Sequence, residues 1–541
     1  MLESGLITSE NLSSFCYALA RSGEEIWRLN AYSNLVPLDD LLAKARASDE
    51  RRFSGQRLSM LDGIPVSVKS NLAVASQPLS AGSKILQQDQ CCSYDADTTN
   101  ILLRECGAIL IGMTSMDEFG MGSLGTNVVS NTGSDIFTKN PSKLLSRLLF
   151  STSSNPDSDI QMAETIKKPV DEIMELHAKA IQQDEEVYSA GGSSCGSAAS
   201  VAHGSSLLSL GTDTGGSIRL PAAWCSVCGL KPSYGLLSRH GVVSYASSFD
   251  TVGILGRSSD CIAIALDKLS QSSRNGSRDS TASSYDETIG TSCNDNIPTD
   301  LSDVRVGIPA ALSIQECPPK LKEVWSMAAQ VLRRQGASVQ IITDDDIDSR
   351  LVRQSLAAYY VLVSAEASSN LSRYDGFRYG VAGDTEDATY FRDDEDFTPL
   401  ELKFSKARVK GFGKDVARRI LCGISVLSSD RFHSHYESAA KLRATLSTQL
   451  NNLLSEKVDI ILFPTALSLP WSLNNRQLDT TEMFSNDILT VVASLAGLPA
   501  MSIPMPLAQE SFMAGLQVVG PRLREDVVIR VGKALERQCQ I

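Results

Sequence analysis

Residues 191–219 read GGSSCGSAASVAHGSSLLSLGTDTGGSIR, two glycine-serine turns on either side of a short apolar run. The run itself, SLLSL at 206–210, is of the kind that forms a buried strand. The first turn, Gly191-Gly192-Ser193-Ser194, ends where a helix can begin, because Ser and Gly cap helices and Ala198, Ala199, Val201 and Ala202 follow. In the second turn, Gly215-Gly216-Ser217, the glycines let backbone N–H groups converge with no side chain in the way. A serine hydroxyl beside converging amides is what acyl transfer requires, a nucleophile next to an oxyanion hole. Glycine-serine turns also serve as plain loops, so these residues alone leave both readings open.

A serine at its ordinary pKa is a weak nucleophile and needs a proton acceptor beside it. The chain has five histidines, none in a recognisable triad context. A lysine can serve if burial strips its charge. Lys69 is a candidate, at the end of LDGIPVSVK (61–69), whose alternating strand pattern would carry it inward. Read without further context, a lone lysine is more often a solvated surface group.

Three blocks then agree in order, content and partly in spacing. GIPVSVKSNL (63–72), GGSSCGS (191–197) and GTDTGGSIRLPA (211–222) resemble the signature of the amidase signature family. The resemblance implies a Ser-cisSer-Lys triad with Ser217 as nucleophile, Ser193 as bridging cis-serine and Lys69 as base. Backbone amides at Thr214, Gly215 and Gly216 would then hold the oxyanion, and no metal is required. It also implies an α/β fold, a large mixed twisted sheet with helices on both faces, in a single domain over 1–541. Apolar runs such as 458–463 and longer helical patterns such as 438–454 agree with an α/β class.

At 541 residues the chain could hold several domains, although large α/β folds reach this size as one unit. Hydrophobic content of 42% and charged content of 21% are those of a soluble globular protein. A net charge of −13 argues against this chain itself gripping a nucleic-acid backbone. No apolar run reaches the length of a membrane span. Twelve cysteines lie scattered without framework spacing, which reads as reduced thiols. Cys225 and Cys228 form a lone CxxC, better explained as buried structural residues than as a zinc or redox pair. The N-terminus lacks the basic and apolar regions of a signal peptide, and Glu3, Glu10, Glu24 and Glu25 are out of place in a transit peptide. Thr8 or Ser9 would cap the first helix, so any presequence is expected to be absent or trimmed.

Residues 108–111 read as a buried strand leading into MTSMDEF (113–119), which is similar to a family block with Met113 in place of a lysine. The connection from Asn131 to Tyr188 is about 45 residues longer than the family's, far beyond an ordinary loop. This insertion, at about 139–186, is expected to be a surface excursion whose second half is one polar helix over 166–187. Residues 270–300 are polar and read as a surface linker.

Within that linker, RDSTAS (278–283) is similar to one branch of the family, the A subunits of glutamyl-tRNA(Gln) amidotransferases. EASSNL (366–371) with RYDGFRYG (373–380), GFGKDVARRI (411–420) and NDILT (486–490) favour the same branch. That resemblance implies a glutaminase that makes ammonia for converting Glu-tRNA(Gln) to Gln-tRNA(Gln). Glutamine is a zwitterion, so its pocket needs a cation for the carboxylate and an anion for the ammonium. The branch places the cation on Arg419 or its neighbour Arg418, the anion on Asp487, and a pocket tyrosine on Tyr360 or Tyr359. It implies B-type and C-type partner subunits, tRNA held mainly by a partner, ATP and Mg at that partner, no cofactor on this chain, and a mitochondrial location with plastid or cytoplasm as alternatives. Two other functions stay open, a stand-alone amidase of the same family and an inactive assembly subunit. The inactive reading draws on Cys195 where the family has glycine, Ser70 where it often has aspartate, and the insertion beside the serine turn.

Overall fold

The computed structural model describes residues 1–86, 91–128, 137–141, 156–180, 186–270, 278–283, 300–382, 398–474, 484–508 and 510–539. Its frame is a mixed eleven-stranded sheet in the order β1-β3-β2-β4-β6-β5-β10-β11-β9-β7-β8. In chain order the strands are β1 (Tyr32–Leu35), β2 (Pro65–Lys69), β3 (Ile109–Thr114), β4 (Leu208–Asp213), β5 (Cys228–Lys231), β6 (Thr251–Gly256), β7 (Arg305–Pro309), β8 (Ser338–Ile342), β9 (Ile460–Pro464), β10 (Ala500–Met505) and β11 (Ala514–Val519). β2 runs parallel to β3 and β4, and β7 runs parallel to β8 and β9, while the strands between pair antiparallel.

Helices cover both faces, as the side-chain period of two requires. On β10, Met501 and Ile503 face Gly532 of the helix Glu525–Cys539, where a Cβ would meet both. Ser502 points the other way, toward Gly515 and the helix Arg219–Trp224. The expected α/β class, with a mixed sheet between helices, holds. β2 is a strand, as its alternating pattern predicts. All five of its residues are buried, because a strand between parallel neighbours is covered on both faces.

The serine-rich turns lie where the sheet gives way. Gly211 of β4 pairs with Gly253 of β6, Gly229 of β5 pairs two positions along β6 at Leu255, and a Cβ on any of the three glycines would run into Ile218. Three glycines thus cut a slot in which Ile218 seats the second turn against the sheet. The first turn leads into the helix Cys195–His203, and Thr8 caps the first helix, Ser9–Glu25, in a capping box with Asn11.

Within 166–187 the expected helix is present but shorter, Val170–Ala180 among the described residues, and another helix, Pro156–Ile166, precedes it, the two separated at Pro169, whose missing N–H cannot continue a helix. This surface excursion packs onto the protein. Ala163, Ile166, Ile173 and His177 are buried against the body of the protein, and His177 stacks on Trp27 at 4.6 Å. Residues 142–155 and 181–185 of the insertion lie outside the described residues. In the linker, residues 278–283 are tied down, with Asp279 3.2 Å from the Arg239 guanidinium and the Ser283 N–H donating to Gly235 O at 2.8 Å. The rest of 271–299 lies outside the described residues. No helix among the described residues is long and apolar enough to cross a membrane.

Candidate active site

β2 ends at Lys69, whose side chain passes into the interior with no exposed surface. Its Nζ lies 2.9 Å from Ser193 Oγ, 2.9 Å from Ser194 Oγ and 3.0 Å from Thr212 Oγ1. Burial pushes its pKa down to about 8, against the weaker pull of Asp117, Asp213 and Asp250. A neutral amine there keeps N–H donors for Thr212 and Ser194 and offers its lone pair to the Ser193 hydroxyl. The Gly192–Ser193 peptide is cis, in agreement with the family pattern. The two serine turns are tied together, since the Ser194 N–H donates to Ser217 O at 3.1 Å.

The second turn is held from beneath by a buried ion pair. Asp213 and Arg219 are both fully buried, and the guanidinium grips the carboxylate with two bonds of 3.0 Å. Its remaining donors reach Gly215 O at 3.2 Å, Thr490 O at 2.8 Å and Ser494 Oγ at 2.8 Å. From above, Asp250 accepts from Thr214 Oγ1 at 2.8 Å and from the N–H groups of Tyr245 and Ala246 at 2.8 and 3.0 Å. Burial pushes Asp250 up to about 6. Neither glycine of the turn can carry a side chain, for a Cβ on Gly215 would lie 2.4 Å from the Tyr359 hydroxyl and one on Gly216 2.3 Å from Thr490 Oγ1.

Ser217 lines a narrow cleft. Gly215, Gly216, Tyr245, Tyr359 and Tyr360 are among its lining residues. The cleft holds two groups of opposite charge. Asp487 is buried and accepts from Ser123 Oγ at 2.8 Å and Tyr360 OH at 2.7 Å. Burial raises its pKa, and those bonds with the nearby Arg419 charge oppose the rise. Arg419 lies over the Tyr360 ring at 4.9 Å and near Phe484 at 5.8 Å and Tyr245 at 6.0 Å. Arg418, about 100° further round the same helix, instead points outward and pairs with Asp415 at 2.9 Å. Tyr359 and Tyr360 both line the cleft, Tyr359 against the glycine turn and Tyr360 on Asp487.

One departure from the family pattern, Cys195, is sealed off from solvent. Cys195 has no exposed surface, its thiol is pushed up to about 12 by burial, and Thr138 Oγ1 donates to it at 3.2 Å. Cys225 and Cys228 are buried as well, and burial raises both thiols. Sequence reasoning missed Asp213, Arg219 and Asp250, although the first two stand inside the stretch that carries Ser217. Oppositely charged residues six apart beside a glycine turn were the available signal. It also missed Ser123, Tyr245 and Phe484, which come from remote segments and carry no local signature.

The family model described as Amidase matches residues 14–146 and 184–529, leaving part of the insertion between them. The chain is 36% identical over 487 residues to the A subunit of glutamyl-tRNA(Gln) amidotransferase from Lachnoclostridium phytofermentans, covering 88% of this chain and 84% of that one. It is 35% identical over 549 residues to the mitochondrial A subunit of the same enzyme from Coccidioides posadasii, with 94% and 95% covered. Among solved structures, the glutamyl-tRNA(Gln) amidotransferase A subunit of Thermotoga maritima is similar at a TM-score of 0.63 and 28% identity, over 88% of this chain and 83% of that one. A peptide amidase from Stenotrophomonas maltophilia shares the fold at a TM-score of 0.67 and 22% identity, over 100% of this chain and 95% of that one.

Proposed function

This chain belongs to the amidase family, and from that membership we propose that it is the glutamine-hydrolysing component of a tRNA-dependent amidotransferase that converts Glu-tRNA(Gln) to Gln-tRNA(Gln). The observation that carries the choice of substrate is one cleft holding Ser217 together with a cation, Arg419, and a buried carboxylate, Asp487. An apolar amide has no use for such a pair, whereas a free amino acid carries both complementary charges. Arg419 takes the α-carboxylate through its planar fork, and Asp487, braced by Ser123 and Tyr360, takes the α-ammonium.

With glutamine so held, Ser217 Oγ attacks the carboxamide carbon. Its proton passes to Ser193 Oγ as that hydroxyl gives its own proton to neutral Lys69. Backbone amides at Thr214, Gly215 and Gly216 stabilise the oxyanion, each donor contributing about 3 kcal/mol. Collapse returns the proton through Ser193 to the leaving nitrogen and releases ammonia. Water then hydrolyses the glutamyl ester by the same relay in reverse. The ammonia is consumed on a B-type partner, which supplies ATP and Mg to activate the glutamyl group and carries most of the tRNA contact. A C-type or equivalent subunit completes the complex. Support for a tRNA-holding partner is the charge of −13 on this chain, which does not suit a phosphate backbone. Support for a mitochondrial location is the named fungal relative.

Substrate choice is tested by Asp487→Asn and Arg419→Ala. A charge-assisted bond contributes roughly 1.5–3 kcal/mol, so each change should lower kcat/KM for glutamine by about ten- to a hundredfold. Turnover of an uncharged primary amide should be nearly unaffected. Parent-like glutamine kinetics in Asp487→Asn would make the stand-alone amidase the better reading.

Lysine works as a base only when neutral. Its pKa in the fold is lowered to about 8, so the neutral form dominates above that pH and is lost below it. We expect kcat/KM to fall by about tenfold per pH unit below about pH 8 and to level off above it. A flat profile from about pH 6 to about pH 9, measured by ammonia release, would place the base elsewhere.

A further inference from the structure

One short stretch, residues 117–123, lends Gly120, Gly122 and Ser123 to the lining of the cleft. Asp117 accepts from the N–H groups of Gly125 and Asn127 at 3.1 and 2.9 Å, and its Oδ2 lies where a Cβ on Gly192 would fall, 2.0 Å away. Ser123 donates to Asp487. Between them Glu118 reaches in the opposite direction. It is fully buried, and its two carboxylate oxygens are divided between separate elements. Oε1 accepts from Ser83 Oγ at 2.5 Å, and Oε2 accepts from the Gly413 N–H at 2.9 Å.

Gly413 is the N-cap of the helix Lys414–Val426, the helix that carries Arg419. The approach is so close that a Cβ on Gly413 would lie 2.4 Å from Oε2. The neighbouring Phe119 grips the same junction, with its ring 5.9 Å from Phe412 and 5.4 Å from Tyr374. A helix transmits displacement along its axis as a stiff rod, and Arg419 stands about 9 Å, six residues, beyond the tether. Ser123 and Glu118, five residues apart on one segment, thus hold the anion and the cation of the pocket respectively.

We propose that Glu118 is a positioning residue for glutamine recognition: by bridging Ser83 and Gly413 it fixes the start of the Arg419 helix and so sets the separation of Arg419 from Asp487. The proposal rests on those two residues being the glutamine clamp. What matters is the reach of the side chain rather than its charge. Burial pushes the Glu118 carboxyl up to about 7, with Asp415 adding to the rise and the Ser83 and Gly413 bonds and Lys84 opposing it. A neutral amide of the same length still offers an oxygen to Gly413 and an N–H to Ser83.

The test compares Glu118→Gln with Glu118→Asp in the full chain, using glutamine and an uncharged primary amide. Glu118→Gln should keep KM for glutamine within about twofold of the parent, since it preserves both bonds. Glu118→Asp keeps the charge but is one methylene short of spanning both partners. It should raise KM for glutamine by about tenfold with kcat within about twofold, and leave turnover of the uncharged amide unchanged. If Glu118→Asp does not fold by circular dichroism, Ser83→Ala replaces it, with the same direction expected at about threefold. Parent-like KM in the shortened variant, or equal losses on both substrates, would overturn the proposal. Asp487→Asn run in parallel separates the two failures. If it raises KM while Glu118→Asp is silent, this inference alone falls, and if neither moves KM, the clamp falls with it.

Discussion

Replacing Ser217 by alanine is expected to lower glutamine turnover by at least about a thousandfold, with the fold intact. Ser217 is only 9% exposed, and its hydroxyl faces the cleft, so its loss leaves neither a large cavity nor an unpaired charge. Lys69→Ala should be comparably damaging, because without the amine the Ser193 hydroxyl has nowhere to pass a proton. The relay acts as a unit, so the Ser217→Ala/Lys69→Ala double variant should be little worse than either single one. Ammonia release by purified, circular-dichroism-matched proteins measures this. Near-normal turnover in Ser217→Ala would remove the serine from the chemistry and overturn the assignment of nucleophile.

The second large effect is on stability. Arg219→Leu should destabilise the protein by about 3–5 kcal/mol, since it strands Asp213 as an uncompensated charge where neither residue has any exposed surface. Burial alone raises the Asp213 pKa, yet the adjoining guanidinium holds it below the ordinary carboxylate value. A depressed carboxylate pKa contributes stability above the unfolded value and loses it as the pH falls through the folded one. The stabilisation from Asp213 should therefore be complete at neutral pH and fade only in acid, below the usual carboxylate range. Urea unfolding of the parent, of Arg219→Leu and of Asp213→Asn/Arg219→Leu reads the effect. The double variant, with no stranded charge, should recover part of the loss. An Arg219→Leu protein as stable as its parent would show that the turn does not depend on the pair.

The distribution of these residues explains what could be read without coordinates. Ser193, Ser217 and Lys69 stand in compact blocks because each sits where a strand or helix meets a tight turn, and such turns dictate several consecutive residues. β4 was legible from SLLSL, since a central strand covered on both faces is largely apolar, although Ser209 interrupts it and Thr212 and Asp213 end it. Local sequence did not disclose the braces. Asp250, Glu118 and Ser123 matter through partners at Thr214, Gly413 and Asp487, separated along the chain by up to 364 residues. The choice between Arg418 and Arg419 was open for a similar reason. Adjacent helical residues differ only in which face they occupy, and that is settled by what packs against the helix. The buried face of the insertion's helices was not legible because it is narrow. Ile173 and His177 are four residues apart and make a single contact stripe on the helix Ser9–Glu25, too sparse to outweigh the polar residues around them.

The covalent step offers the most direct test of the acyl-transfer chemistry. The full chain would be mixed with isotopically labelled glutamine, quenched in acid during turnover, digested and mapped by mass spectrometry. We expect the glutamyl label in ester linkage on Ser217, absent from Ser217→Ala and lost on mild alkaline treatment. Label on Ser193 or on Cys195 in place of Ser217 would contradict the assignment of nucleophile and with it the relay through Lys69.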